Sequence, residues 1–204
     1  MPRIPIHDAA SLILLRKEGR ETLLLMGRRS ERHRFMPGVW VFPGGRLDRG
    51  DYHMRPGAAL PVETAEALAK TARLARQDGM RLATALALTA VRETFEETGI
   101  MLASPGEKAR GGPPAWRPFL SGGHRPDLSA MRFLTHAITP PGNVRRYDTR
   151  FLVADVSRLT MSSAEPSEEL IEVGWFPWQA AFELRTALIT RYILEKTVEF
   201  ISGT

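Results

Sequence analysis

The most chemically demanding pattern in this chain occupies nine residues, Arg92-Glu93-Thr94-Phe95-Glu96-Glu97-Thr98-Gly99-Ile100. On a helix, Glu93, Glu96 and Glu97 fall at i, i+3 and i+4, so their carboxylates project from one face. Three like charges stacked there repel each other. They also crowd the C-terminal end of the helix, where the macrodipole disfavours negative charge. A divalent cation relieves both costs, and magnesium takes its oxygen ligands from a few carboxylates, waters and substrate phosphates. Arg92 has Glu96 as its i+4 partner and can hold a glutamate in orientation, as metal ligands generally require. The plain alternative is a solvated acidic helix face carrying an intrahelical ion pair.

Other residue types narrow the chemistry. The chain has 28 Lys+Arg against 23 Asp+Glu, a net charge of +5, with arginines clustered at Arg28, Arg29, Arg32 and Arg34 and again at Arg145, Arg146 and Arg150. Planar, permanently charged guanidinium forks suit phosphate oxygens. No aromatic-interleaved basic stripe or zinc-finger spacing accompanies them, so an anionic small molecule is expected as partner and no nucleic acid. There is no cysteine, which removes disulfides, thiolate metal sites and cysteine nucleophiles together. The five histidines show no ligand spacing, and no serine sits in a nucleophile-elbow context. Trp40 and Trp175 lie in strand-like runs and are expected in the core. Trp116 lies in a Pro/Gly-rich stretch, where exposure would let it stack on a nucleobase.

The elements that must position these groups follow from pattern. Residues 9–16 and 21–26 are apolar runs around Lys17-Glu18-Gly19-Arg20, which predicts a β-hairpin. Val39–Phe42 reads as a third strand, stopped by Pro43-Gly44-Gly45. Residues 62–77 predict a helix. Gly79 interrupts, and a second helix is expected over about 81–98 with Gly99 as its C-cap. Residues 103–126 are expected to be mostly loop. Strands follow at 131–138, 150–156 and 171–176, then a helical C-terminus over roughly 178–200. This makes an α+β architecture, read as one domain over residues 1–204. The start, MPRIPIHDAA, lacks signal-peptide character, and no apolar run approaches the ~20 residues of a membrane span, so a soluble cytoplasmic protein without membrane contact is expected.

The loop Phe42-Pro43-Gly44-Gly45-Arg46-Leu47-Asp48-Arg49-Gly50-Asp51 and the REXXEEXG helix together resemble the Nudix box, GX5EX7REUXEEXGU. Gly45 would open the box, and Arg92, Glu93, Glu96, Glu97, Gly99 and Ile100 would close it. Asp51 stands where the pattern has glutamate, and Thr94 where it has a hydrophobic residue. Forty residues, 52–91, fill a gap that the pattern fixes at seven. Closure cost grows only logarithmically with loop length, so such an excursion is tolerable. An interrupted box is similar to the branch that includes peroxisomal coenzyme A diphosphatases of animals. Arg29-Ser30, Arg34, Gly38 and Phe42-Pro43-Gly44-Gly45 are similar in spacing to its coenzyme A motif, although Leu25-Met26-Gly27 replaces the usual Leu-Leu-Thr opening. Ile138–Pro141 and Arg146–Phe151 resemble its downstream strands.

The resemblance implies an α/β/α sandwich around a mixed sheet, with a helical insertion at about 52–84 between the halves of the box. It implies a metal-dependent hydrolase that cleaves the diphosphate of a nucleoside diphosphate derivative, coenzyme A or acyl-coenzyme A among the candidates, with Mg²⁺ or Mn²⁺ held by Glu93, Glu96 and Glu97. Glu93 and Glu97 would be the primary ligands; Glu96 would be ligand or base, oriented by Arg92. Arg29, Arg34, Gly44 and Gly45 would bind substrate. Asp51, Glu168 and Glu169 are further candidates, the last two as a second base or ligand. A homodimer would be in keeping with the resembled family. The rival readings are a non-catalytic nucleotide sensor of the same fold, and a hydrolase acting on ADP-ribose, NADH or an RNA 5′ end.

Overall fold

Residues Ala9–Leu15 form an unbroken run of buried side chains, which marks a strand covered on both faces. They belong to β1 (Ile6–Glu18), which turns at Gly19 into β2 (Glu21–Arg29). The computed structural model describes residues 4–32, 37–73, 78–105, 111–157 and 164–203. Beyond the hairpin come β3 (Trp40–Val41), β4 (Gly44–Arg46), α1 (Val62–Ala69), α2 (Gly79–Thr98), β5 (Ala103–Pro105), α3 (Arg117–Leu120) and β6 (His124–Pro126). The chain continues with β7 (Met131–Ile138), β8 (Arg146–Asp155), β9 (Leu170–Pro177), α4 (Trp178–Glu183) and α5 (Leu188–Ser202).

The main sheet is ordered β3-β2-β1-β8-β7, with β9 on the other edge of β2 and β4 beside β1. It is mixed: β1 and β8 run parallel from Ile6↔Arg146 to Leu15↔Asp155, and the other pairings are antiparallel. The hairpin strands pair only near their turn and then splay. Into that opening come β3, held by Gly27 and Arg28, and β4, held by Ala9, Ala10 and Ser11.

Side-chain alternation along β1 splits the core. Ala10, Leu12 and Leu14 pack towards α2 with Leu82, Leu86 and Val91, while Ile13 and Leu15 pack towards α4 and α5 with Ile193 and Leu194. Helices on both faces of a mixed sheet make the expected α/β/α sandwich, an α+β fold. Residues 52–84, the expected insertion, contain α1 and the start of α2.

Several boundaries differ from the sequence pattern for identifiable reasons. The helix expected over 62–77 ends at Ala69; residues 74–77 lie outside the described set. The Thr71 hydroxyl turns back to Leu68 O at 2.7 Å, and Arg150 Nη2 donates to Thr71 O at 2.8 Å, so tertiary hydrogen bonds take groups that a continuing helix would use. Gly79 begins α2 rather than interrupting it. Asp78 caps that end, accepting from Met80 N and Arg81 N at 3.1 Å, and a side chain at 79 would meet Ala69 O at 2.9 Å. The loop expected over 103–126 contains the small β5–β6 sheet and α3. The C-terminal helix is broken between α4 and α5, where Arg185 O accepts from Trp40 N at 2.9 Å.

Candidate functional site

Helix α2 delivers the carboxylates, and its end is fixed by Gly99, which adopts φ 70° and donates its N–H to Phe95 O. The threonines in this helix cost nothing as buried polar groups: Thr94 Oγ1 donates to Ala90 O at 2.7 Å, and Thr98 Oγ1 to Thr94 O at 2.6 Å. Thr94 therefore occupies a buried position of the box with its hydroxyl satisfied on its own helix.

Arg92 is the hub. Its Nε and Nη2 grip Asp51 at 2.9 and 3.0 Å, Nη1 donates to Glu93 at 2.8 Å and to Glu96 at 3.0 Å, and Nη2 also reaches Arg46 O at 3.1 Å. Burial alone would lower its pKa, but the hydrogen bonds to Asp51 and the charges of Asp51, Glu93 and Glu96 outweigh that and raise it. Asp51 is fully buried and accepts further hydrogen bonds from Thr89 Oγ1 (2.8 Å), Trp116 Nε1 (2.9 Å) and Asp48 N (3.0 Å). Held by this many donors, the Asp51 carboxylate is fixed in place and orients its cationic partner. Despite the forty intervening residues, Asp51 and Arg92 meet in a bidentate pair.

Glu97 is nearly buried and accepts from Gly44 N at 2.9 Å. Burial pushes its carboxyl up to about 8, against the pull of the Gly44 hydrogen bond and with the charge of Glu93 adding to the rise. Glu93 is pushed up to about 7, again mainly by burial, while Arg92 opposes the shift. Glu96 is more exposed and is raised in the same sense. The β4 loop can lie this close only because it carries glycines. A side chain at 45 would collide with the Glu93 carboxylate, and one at 44 would sit 2.6 Å from Ser11 Cα.

Glu93 and Gly44-Gly45 form one end of a pocket of about 880 Å³, within the usual range for a small-molecule site. Arg29 and Glu169 line it too. The Arg29 charge stabilises ionised Glu97, whereas Glu169 destabilises ionised Glu96 and Glu97. The structure thus brings Arg29, Gly44, Gly45, Glu93 and Glu169 to one cavity, with Arg92, Glu96, Glu97 and Asp51 directly behind it. Glu168 is exposed and does not line the cavity. Arg34 lies outside the described residues.

Two groups escape the sequence pattern. Trp116 is fully buried rather than exposed, with its indole N–H on Asp51 and its ring edge-on to Phe119. Thr89, one turn before Arg92, is the other unanticipated donor to Asp51. A β-hydroxyl at i−3 from the arginine was a weak signal for it; Trp116 gave none. Arg150, grouped by sequence with phosphate-binding arginines, is instead fully buried and pairs with Asp8 and Asp148.

The donor set suits a hard divalent cation. Glu97 is buried and Glu93 partly buried, the ionised forms of both are disfavoured, and Glu96 and Glu169 add negative charge, so a dication would compensate what Arg92 and Arg29 leave. Among the described residues no group of three or more histidine or acidic side chains is placed so that it could hold a metal ion.

Comparison with known proteins places this arrangement. The family model of the NUDT19 Nudix domain matches residues 8–191. The acyl-coenzyme A diphosphatase NUDT19 of Gallus gallus is 28% identical over 200 aligned positions, covering 74% of this chain and 53% of that protein, so the chain spans about half the length of this relative. The crystal structure of a NUDIX hydrolase from Alicyclobacillus acidocaldarius superposes with a TM-score of 0.69 at 27% identity, covering 95% of this chain and 91% of its own. The NUDIX domain of Shewanella oneidensis NrtR, complexed with ADP ribose, shares the fold at a TM-score of 0.52 and 14% identity, covering 97% of this chain and 89% of its own. The chain belongs to the Nudix hydrolase family, in the group described by the NUDT19 Nudix domain.

Proposed function

We propose that this chain, as one catalytic domain, is a metal-dependent diphosphatase that cleaves the diphosphate of coenzyme A and its acyl thioesters. The observation that carries the reading is the convergence of Glu93, held by Arg92 and through it by Asp51, with buried Glu97, held by Gly44 N–H, beside a pocket large enough for a nucleotide derivative. The name of the Gallus gallus relative and the arginine-spaced segment before Phe42-Pro43-Gly44-Gly45 support the choice of coenzyme A.

Glu93, Glu96 and Glu97 would hold Mg²⁺ or Mn²⁺, which supplies neutralisation of phosphate charge and acidifies water. The remaining work falls to the chain. Arg92 keeps Glu93 and Glu96 in fixed rotamers, so the carboxylates need not reorganise during the reaction. Arg29, on the pocket wall, pairs with diphosphate oxygens. Gly44 and Gly45 let the pocket wall lie directly against the Glu93 carboxylate, so a diphosphate on that wall would lie close to it and in a defined orientation. A carboxylate beside the centre, Glu96 or Glu169, takes the proton of the attacking water. The Glu96→Gln and Glu169→Gln variants decide between them: the one that abolishes the alkaline-rising limb of the pH–rate profile held the proton.

The test is product analysis with Mg²⁺ or Mn²⁺ on coenzyme A, an acyl-coenzyme A, ADP-ribose, NADH and a nucleoside triphosphate. Metal-dependent release of 3′,5′-ADP from coenzyme A is expected. Cleavage of another member alone would keep the hydrolase and discard coenzyme A. Silence across the panel with both metals would favour a nucleotide-binding module.

A further inference from the structure

A second cavity, of about 330 Å³, lies apart from the first and shares no residue with it. Two turns line it. One carries His53, Met54 and Arg55, directly after Asp51; the other carries Gly111, Gly112 and Pro113, directly before the turn that ends at Trp116. The two meet at Gly50, where a side chain would lie 2.8 Å from Pro113 Cβ. Met54 and Leu120 belong to the α2-side core, and Arg125 of β6 completes the lining. That lining is cationic and carries no carboxylate. Elsewhere Arg28, Arg73, Arg92 and Arg150 each grip a carboxylate. The guanidiniums of Arg55 and Arg125 and the imidazole of His53 have no hydrogen-bond or ion-pair partner among the described residues. Gly111 (φ 96°) and Gly112 (φ 150°) hold conformations that side chains disfavour, so their part of the wall is bare main chain. Neither glycine N–H has a partner among the described residues.

We propose that this cavity is a second anion site, for a phosphate group, free or as a monoester, held by Arg55, Arg125 and His53 against the Gly111-Gly112 main chain. Unpaired guanidinium forks and unpaired main-chain N–H groups around one concavity supply the charge and the donors that phosphate oxygens take. With no carboxylate in the lining, nothing inside the cavity neutralises the two arginines. The position gives binding a consequence. Trp116 Nε1 donates to Asp51, which fixes Arg92 and through it Glu93 and Glu96. An anion spanning both turns clamps the two ends of the Trp116–Asp51 hydrogen bond together, outside the catalytic pocket. The site itself does not depend on which diphosphate is cleaved; only an effect of the clamp on turnover rests on the hydrolase reading.

The experiment titrates inorganic phosphate, and separately ribose 5-phosphate, into the full chain with and without Mg²⁺. Calorimetry gives the affinity, and the indole N–H resonances of the four tryptophans report the clamp, with Trp116→Phe identifying the Trp116 signal. Saturable binding that moves the Trp116 signal is expected whether or not Mg²⁺ is present. Arg55→Gln and Arg125→Gln are expected to weaken it about tenfold or more, as loss of a charge-assisted hydrogen bond does, with unfolding midpoints in phosphate-free buffer near wild type. Arg29→Gln, in the first pocket, keeps the wild-type affinity. Tighter binding of ribose 5-phosphate than of phosphate would support the site as one for monoesters, and the reverse order would support it as one for the free ion. Absence of saturable binding, or wild-type affinity in both Arg55→Gln and Arg125→Gln, would overturn the site. Binding that requires Mg²⁺, or that is lost in Arg29→Gln alone, would place the phosphate in the catalytic pocket and overturn it equally. Calorimetric binding with the Trp116 signal unmoved would overturn the clamp. None of these readouts uses turnover, so their failure leaves the diphosphatase reading standing.

Discussion

Two regions of this molecule bury carboxylates against arginines, and they do so to opposite ends. On the far side of the sheet from the pocket floor, Asp8 and Asp148 meet Arg73 and Arg150: Arg150 Nη1 lies 2.6 Å from Asp8, Arg150 Nη2 lies 3.1 Å from Asp148, and Arg73 Nε lies 2.8 Å from Asp148. Two cations face two anions, and Arg150 further ties Thr71 to the sheet. Around Arg92 the count is uneven. Asp51 takes the arginine's bidentate grip, and Glu93, Glu96, Glu97 and Glu169 share what remains with Arg29. Burial raises Asp148 too, but Arg150 and Arg73 pull it back, whereas Glu97 rises to about 8 with only Gly44 and Arg29 opposing. A balanced buried cluster holds a fold together. An unbalanced one stores affinity for a cation.

That contrast can be broken by exchange of single groups. Glu97→Gln keeps the shape and the Gly44 hydrogen bond but removes the charge, so steady-state turnover should fall by roughly 10²–10³-fold or more, as for loss of a preorganised electrostatic group, with the unfolding midpoint of the metal-free protein unchanged or higher. Arg150→Met should do the reverse. Leaving Asp8 and Asp148 short of a partner costs about 3–5 kcal/mol in denaturant unfolding, while turnover per folded molecule stays near wild type.

The pH dependence of stability sharpens the difference. Glu93 and Glu97 have folded pKa values above their unfolded ones, so the folded state binds protons more tightly than the unfolded state. In the metal-free protein their favourable contribution is present below about pH 4.5 and is lost as pH rises through about 7 to 8. Thermal unfolding with chelator should show a decline on the order of a few kcal/mol over that window. Saturating Mg²⁺ should flatten the decline, and Glu97→Gln should flatten part of it without metal. A metal-free protein equally stable at both ends would refute the imbalance.

The smallest expected effect is the most diagnostic. Trp116→Phe keeps the ring against Phe119 and removes one donor to Asp51. Loss of an orienting group behind metal ligands typically costs about 10–100-fold in metal affinity. Titration of Mn²⁺ by its EPR signal should show that loss, and excess metal should restore turnover.

Local pattern carried much of this architecture. The i, i+3, i+4 glutamates, the Gly99 cap and the hairpin around Gly19 are properties of a few adjacent residues, and each stands in the structure as its spacing implies. What spacing could not show depends on partners far along the chain. Trp116 serves Asp51 across 65 positions, and Arg150 reaches Thr71 across 79. Neither tryptophan nor arginine announces burial by its neighbours; Trp116 looked solvent-facing because prolines and glycines surround it. The end of α1 was misplaced for the same reason: helix propensity continues past Ala69, but a buried guanidinium claims the Thr71 carbonyl.

The parallel pairing of β1 with β8 has a consequence for how the chain is made. Ile6–Leu15 finds its partner at Arg146–Asp155. The β1–β2 hairpin can close early, being local, yet its most apolar strand must await a segment some 140 positions later to cover its second edge. Contacts of such long range slow folding, and an unpaired apolar edge invites pairing with other chains meanwhile. During synthesis, therefore, the nascent domain carries Leu12–Leu14 as an open edge until β8 leaves the ribosome. A chain truncated before Arg146 would keep the carboxylate helix in its sequence but not the central strand pair, and would accumulate as aggregate rather than as a smaller enzyme.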